Sequence, residues 1–209
     1  MQVDEASFVD LFNVSRETIE RLEKYEALLA KWNPRINLVS RTTLDNVWHR
    51  HFADSAQIWR LATPSAKKWL DFGSGAGFPG LVCAVMAKEV SPELKFVLVE
   101  SDQRKAAFLM SVSNELGLNV EITSNRIEAL ESQNADIISA RAVASLGKLL
   151  EYSAPHGHKS TVLLFPKGVS YESELTAAQK HWHIEPKVVR SLTDSNSVIL
   201  RIEGLKRAK

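Results

Sequence analysis

The sequence predicts a doubly wound α/β fold: a mostly parallel sheet with helices on both faces, an N-terminal helical cap and a C-terminal antiparallel hairpin. Three observations carry this expectation. From Lys67 onward, short runs of Val, Ile and Leu alternate with stretches of helical period, as in a parallel sheet buried on both faces. Between the first such run and the first helix stands a glycine-rich segment, Gly73 to Gly80. Ahead of Lys67, from Asp4 to about Ala62, the apolar spacing is helical throughout, whereas the last two apolar runs are joined by a polar turn. These changes divide the chain into a cap, residues 1–64, and a sheet domain, residues 65–209, within one compact unit.

Each element follows from its residues. In the cap, Ile19, Leu22, Tyr25, Leu29 and Trp32 share one helical face, with Ser15 as N-cap and Pro34 ending the run. Leu44, Val47, Trp48, His51, Ser55, Ile58 and Trp59 repeat in the same way until Pro64 stops them. Strands are expected at Trp69–Phe72, Phe96–Val99, Val120–Thr123, Ile137–Ile138 and Val162–Phe165. Helices are expected at Pro79–Lys88, Gln103–Leu116 and Leu146–Ala154, the second capped by Asp102 and closed by Gly117. Lys187–Leu192 and Val198–Ile202 make the hairpin, turning through Thr193–Ser197. Trp32, Trp48, Trp59 and Trp69 lie on apolar faces and belong to the core rather than to a stacking surface. His181-Trp182-His183 lacks a third metal ligand nearby, as do His49 and His51, so no metal is expected and the tripeptide reads as a helix end.

Composition narrows the classes. The 209 residues are 44% hydrophobic and 24% charged, which excludes a disordered or low-complexity chain. Lys and Arg (26) balance Asp and Glu (25), so any nucleic-acid surface must be a local patch. One cysteine, Cys83, excludes a disulfide framework and, between Val82 and Ala84 on an apolar stretch, reads as core. The N-terminus is acidic and lacks a signal-peptide pattern, and no apolar run approaches the roughly 18 residues of a membrane span. A cytoplasmic, reduced, monomeric protein without a membrane partner is the expectation.

The chemistry concentrates at Leu70-Asp71-Phe72-Gly73-Ser74-Gly75-Ala76-Gly77-Phe78-Pro79-Gly80, where a doubly wound sheet binds its nucleotide. Glycines there permit a sharp turn and close approach of a ligand to the backbone. The dinucleotide fingerprint needs a third glycine at the position of Phe78, whose ring would crowd a pyrophosphate. Asp71 adds negative charge, unhelpful beside phosphates and useful beside a cation. The pattern looks like the S-adenosylmethionine loop of Rossmann-like class I methyltransferases, whose ligand is a sulfonium cation with an amino-acid tail. Gly73 and Gly75 are therefore candidate cofactor contacts. Glu100, ending the second strand, fits an acid that accepts from ribose hydroxyls; read otherwise, it is a surface acid capping the helix at Asp102. Asn125 to Glu128 stands where such folds place groups against adenine. Arg141, ending the fourth strand, is suited to a cofactor carboxylate or a substrate phosphate, or else to a structural ion pair with Glu100 or Asp71.

The fourth strand end and Cys83 remove support from two acceptor types without by themselves identifying the nucleotide. Exocyclic-amine methylation uses Asp/Asn-Pro-Pro-aromatic at the fourth strand end, and this chain has Ile138-Ser139-Ala140-Arg141-Ala142-Val143-Ala144-Ser145. Pyrimidine C5 methylation needs a thiolate, and Cys83 is a core residue. A purine N7 carries a free lone pair and no proton, so its methylation needs alignment more than a base. Two other readings stay open on the residues alone: an NAD-dependent oxidoreductase on the same sheet, and a non-catalytic RNA-binding module.

Taken in order, Lys31-Trp32-Asn33 with Ile36-Asn37-Leu38, Arg50-His51-Phe52-Ala53-Asp54-Ser55, Asp71 to Gly80, Ser139 to Leu146 and Lys167-Gly168 resemble the RsmG family, also called glucose-inhibited division protein B. The resemblance runs through nearly the whole chain. It implies a bacterial, cytoplasmic, S-adenosylmethionine-dependent enzyme that methylates N7 of a guanine in small-subunit (16S) ribosomal RNA, with ribosomal RNA or the small subunit as partner. Carried over by position, its cofactor residues are Gly73, Phe78, Ile127, Glu128 and Arg141, with Phe78 where the family often has leucine. Asn37, Arg126 and Lys167 match its polar positions, and no catalytic residue is assigned.

Charge distribution suggests where RNA would lie. Residues 1–30 carry three Lys/Arg against seven Asp/Glu, residues 31–60 five against two. The second half of the cap is thus expected to face phosphates, with Arg35, Arg41, Arg50 and Lys167 flanking the crevice mouth. Asn37, Arg50, Arg126 and Lys167 are the candidate RNA contacts.

Overall fold

The computed structural model describes residues 2–208; Met1, at the acidic start, and Lys209, ending the basic tail, lie outside the described residues. Helix α1 (Glu5–Phe12) begins in a capping box, Asp4 accepting from the Ser7 amide and Ser7 Oγ accepting from the Asp4 amide. Helix α2 (Arg16–Ile36) begins at Ser15, which accepts from the Thr18 amide, and buries Ile19, Leu22, Tyr25 and Leu29. Pro34 does not end it, contrary to the sequence reading. In a last turn a proline removes a single amide donor. The Asn33 side chain then accepts from the Leu38 and Val39 amides at 2.8 and 2.9 Å, and Asn37, at φ 49°, closes the helix.

The single helix expected from Leu44 to Trp59 is three pieces: α3 (Arg41–Leu44), a π-helical turn (Trp48–Ala53) and α4 (Asp54–Trp59). The wider turn carries one residue more than an α turn, so that Phe52 and His51 are both buried although they are neighbours.

The sheet domain follows as β1 (Lys68–Phe72), α5 (Gly80–Val90), β2 (Lys95–Val99), α6 (Gln103–Leu116), β3 (Val120–Thr123), a 3-10 turn (Ile127–Ala129), β4 (Ala135–Ala140), α7 (Leu146–Ser153), β5 (Gly157–Lys167) and α8 (Tyr171–Gln179). Strands β6 (Trp182–His183), β7 (Lys187–Arg190), β8 (Val198–Glu203) and β9 (Lys206–Arg207) complete it. The main sheet runs β3-β2-β1-β4-β5-β8-β7, the first five strands parallel and β8 and β7 antiparallel. Strand order reverses between β1 and β4, which opens a crevice at the carboxyl ends of those strands. Both β4 and β5 outrun the apolar cores read from sequence, because the ladder continues through Ala135 and out to Lys167 opposite Val198.

One segment departs from expectation. His181-Trp182-His183 does not end a helix: α8 stops at Gln179, and Trp182–His183 pairs with Lys206–Arg207 in a separate two-stranded ribbon. Trp182 is buried, with the Arg207 guanidinium 5.1 Å from its ring. The ring needs a cover on that face, and the tail supplies it.

Side-chain alternation along the strands splits the core in two. Trp69, Phe96, Leu98, Ile137, Val162 and Leu164 face the cap, α5 and α6, whereas Leu70, Phe72, Val97, Val99, Ile138, Leu163 and Phe165 face α7 and Trp182. Cys83 lies fully buried in the first layer. Among the described residues no helix is long and apolar enough to cross a membrane, and no group of His, Cys, Asp and Glu could hold a metal.

Candidate active site

The β1–α5 loop is built by what its glycines leave out. Gly73, Gly75 and Gly77 hold φ of +59°, +57° and +93°. A Cβ on Gly73 would lie 2.6 Å from Val143 Cγ2, so the loop and the segment after β4 approach more closely than a side chain allows. Two groups fix the loop's shape. Glu100 accepts from the Gly75 amide through one oxygen and from the Asp102 amide through the other, both at 2.8 Å. The Tyr25 hydroxyl, from α2, donates to the Ala76 carbonyl. Glu100 is thus no surface acid: it is buried, meets the Asp102 amide at the start of α6, and also clamps the end of β1 to the end of β2 through Gly75.

Asp71 does not face the crevice. It is fully buried beneath the loop, its Oδ1 accepting from Ser139 Oγ at 2.5 Å, and Ser139 Oγ accepts in turn from Trp69 Nε1 at 2.8 Å. Its other oxygen stands under the start of α5, 2.8 Å from where a Gly80 Cβ would be. A carboxylate therefore occupies the helix N-terminus that a dinucleotide's pyrophosphate would need. Burial pushes the Asp71 pKa up to about 6, against the hydrogen bonds of Ser139 and Ser74 that lower it. The sign follows: Asp71 favours folding fully below its unfolded value of 3.8, and that contribution is lost as pH rises through 6. The loss amounts to about 3 kcal/mol. Asp71→Asn removes it, so urea unfolding at pH 4 and pH 7 should show the variant gaining about 2 kcal/mol relative to wild type on going to pH 7, since pH 4 already lies just above the unfolded value. A gap that does not change with pH would show that Asp71 does not titrate in this range.

Three hollows adjoin one another along the crevice. The first, about 180 Å³, is lined by Gly73, Val99, Ser101, Asn125, Arg126, Ile127, Glu128, Val143 and Tyr152. Ile127 and Val143 give it apolar walls, and Glu128, accepting from the Tyr152 hydroxyl at 2.9 Å, a polar rim. The second, about 210 Å³, shares Gly73 with the first and adds Gly75, Phe78, Arg141 and the cap residues Leu38 to Ser40 and His51. The third, about 890 Å³, shares His51 and Arg141 with the second and is walled by Arg50 and Asp54 from the cap, Lys167 and Gly168 at the end of β5, and the turn Thr193–Ser197.

The junction of the second and third hollows is a stack. Phe78 is buried, with the His51 ring parallel to it at 4.7 Å and 9° and the Tyr25 ring at 5.6 Å and 20°. The Arg141 guanidinium lies 5.2 Å from the Phe78 ring. Its partner is neither Glu100 nor Asp71, the pairs weighed from sequence, but Asp54, at 2.9 Å across the cap. Arg141 Nη2 also donates to His51 Nδ1 at 3.3 Å. A guanidinium is only a donor, so Nδ1 accepts and the imidazole proton sits on Nε2. Burial first, then the charges of Arg141 and Arg50, push the His51 pKa down to about 3, so the ring is neutral.

Of the residues read from sequence, Gly73, Gly75, Phe78, Arg126, Ile127, Glu128, Arg141, Arg50 and Lys167 line these hollows. Lys167 is committed to its own fold: its side chain is only 8% exposed and donates to the Ala144 carbonyl at 2.9 Å and to Glu174 at 2.8 Å. Asn37, Arg35 and Arg41 are exposed cap residues outside the lining of all three hollows. His51, Asp54, Tyr152 and the turn Thr193–Ser197 were not read as site residues. For His51 and Asp54 the signal lay within the Arg50–Ser55 motif, but a helical period marks a face and not what that face meets.

The residues fit an adenosyl amino acid: an apolar slot with a polar rim, an open glycine backbone, an arginine for a carboxylate, and a helix terminus closed to phosphate. Comparison with known proteins agrees. A family model described as rRNA small subunit methyltransferase G matches residues 18–200. The chain belongs to this family. A ribosomal RNA small subunit methyltransferase G of Jannaschia sp. is 51% identical over 191 residues, 91% of this chain and 90% of the relative. One of Cereibacter sphaeroides (ATCC 17025) is 47% identical over 205 residues, 98% and 99% of the two chains. Among solved structures, a methyltransferase from Geobacter sulfurreducens (TM-score 0.60, 15% identity, 97% of this chain and 98% of that one) shares the fold. So does a SAM-dependent methyltransferase from Aquifex aeolicus (TM-score 0.54, 15% identity, 86% and 96%). The family places the chain among S-adenosylmethionine-dependent methyltransferases and removes the oxidoreductase alternative.

Proposed function

We propose that this protein transfers a methyl group from S-adenosylmethionine to N7 of a guanine in small-subunit ribosomal RNA. Family membership over residues 18–200 is the observation that carries the reading. S-adenosylmethionine, when bound, supplies an electrophilic methyl group on a sulfonium centre. Gly73, Ile127, Glu128 and Val143 hold its adenosyl side, and Arg141 its carboxylate end. The large hollow next to Arg141 receives the acceptor nucleotide, and Arg50, exposed on its wall, pairs with RNA phosphate.

The chemistry of the large hollow suits an acceptor that sheds no proton. Each carboxylate lining it is already engaged. Asp54 accepts from Arg141, Gln57 and Thr193. Glu174 accepts from Lys167, the Leu146 amide and Ser170. Asp194 accepts from the Asn196 amide and Ser197, which hold it below the ordinary carboxylate range. None is a free base. N7 needs none, because its lone pair attacks without deprotonation; what the site contributes is alignment and exclusion of water by the Phe78–His51 stack. The guanine must leave its stack to enter, which favours a single-stranded loop.

Small subunits from a strain lacking the gene, incubated with purified protein and labelled S-adenosylmethionine, should gain methyl groups that mass mapping assigns to 7-methylguanosine. Label on another base, or none despite measured cofactor binding, overturns the assignment.

A further inference from the structure

We propose that His51 is a positioning residue for Arg141: its Nδ1 accepts from Nη2 of the guanidinium while Asp54 holds Nη1, so that the cap sets the arginine across the Phe78 ring where the cofactor hollow meets the large one. The proposal rests on the reading that Arg141 faces the cofactor. Three observations carry it.

His51 lies within the π-helical turn from Trp48 to Ala53, and such turns gather at functional positions. The ring lies flat on Phe78 at 4.7 Å and contacts the guanidinium at 3.3 Å, thus touching two residues of the cofactor hollow at once. Above all, the position is poor for stability alone. Nε2 is buried without a hydrogen-bond partner, a desolvation cost that a phenylalanine stacked on Phe78 would not carry. The one thing the imidazole does there that a hydrocarbon ring could not is accept from Arg141. Neutrality serves this role, since a protonated ring would have no acceptor and would repel the guanidinium.

Arg141 needs such a partner. Its anchoring groups come from a segment 87 and 90 residues away in sequence, and Ala142, next to it, sits in the left-handed region at φ 56°. Asp54 alone fixes one nitrogen and leaves the plane of the guanidinium free to rotate. A second contact on Nη2 defines that plane.

The test is a double-mutant cycle on cofactor affinity, with S-adenosylmethionine as titrant in calorimetry. His51→Phe keeps the stack and removes the acceptor: the expected Kd rises about tenfold, kcat at saturating cofactor falls by less than about threefold, and the melting temperature does not fall. Arg141→Gln weakens binding further, and His51→Phe/Arg141→Gln binds no more weakly than Arg141→Gln alone, because His51 acts through the arginine. Binding by His51→Phe within about twofold of wild type, or losses that add in the double variant, would overturn the proposal. Should His51→Phe fail to fold, His51→Leu serves in the same cycle. Wild-type protein that binds no S-adenosylmethionine would instead overturn the cofactor reading.

Discussion

Glu100→Ala should weaken S-adenosylmethionine binding about 100-fold, the largest functional effect expected of a residue that need not touch the ligand. The carboxylate joins the Gly75 and Asp102 amides at 2.8 Å each, spanning the ends of β1 and β2. Hydrogen bonds to a charged group contribute about 1.5–3 kcal/mol apiece. Without them the loop must be ordered when ligand arrives, and a loss of roughly 3 kcal/mol in preorganisation corresponds to that affinity ratio. Glu100→Gln should fall between, since an amide presents one acceptor and one donor to two N–H groups. Calorimetric titration checks both. A Kd for Glu100→Ala within about threefold of wild type would mean that the loop keeps its shape without the clamp.

Gly77→Ala should be the most destabilising of the single-methyl insertions. The residue holds φ +93°, a conformation costing an L side chain about 1–3 kcal/mol. The added Cβ would also stand 2.6 Å from Leu81 Cδ1 and against the Tyr25 hydroxyl. Overpacking of this kind costs about another 1–3 kcal/mol. At about 4 kcal/mol in total, the melting temperature of a chain this size should drop by roughly 8–16 °C. Gly147→Ala is the control: nothing lies within 4 Å of its would-be Cβ, and alanine in a helix should gain up to about 1 kcal/mol. Equal melting temperatures for the two variants would refute this account of the loop.

Much of the architecture follows from local pattern because its cause is local. Periodic apolar residues declare which face of each helix or strand is buried, and β3 and α6 have the very bounds their sequence implies. Failures occur where a particular side-chain contact overrides the apolar period. Pro34 stays helical because Asn33 caps the exit. In the run from Leu44 to Trp59 the π-helical turn interrupts the α-helix where His51 meets Phe78 and Phe52 meets Tyr25, both from outside the run. Trp182 leaves the helix because Arg207 comes to meet it.

The site divides along the same line. Gly73 and Gly75 are legible because they are close in sequence and glycine has a backbone freedom that other types lack, and Phe78 because a ring stands where the dinucleotide fingerprint needs a glycine. Glu100 is legible as an acid at a strand end, but not as the group that grips Gly75, since that requires knowing that β1 and β2 are parallel neighbours. Arg141 is legible as a cation at a strand tip, while its partner is not: Asp71 lies on the neighbouring strand, yet Asp54 reaches it from the cap. Residue order thus settles the periods, the turns and the chemical inventory, because these depend on interactions within a few residues. Which carboxylate meets which guanidinium, which acid turns inward and which histidine loses its proton depend on desolvation and on contacts between remote segments, and those exist only once the cap has closed over the sheet.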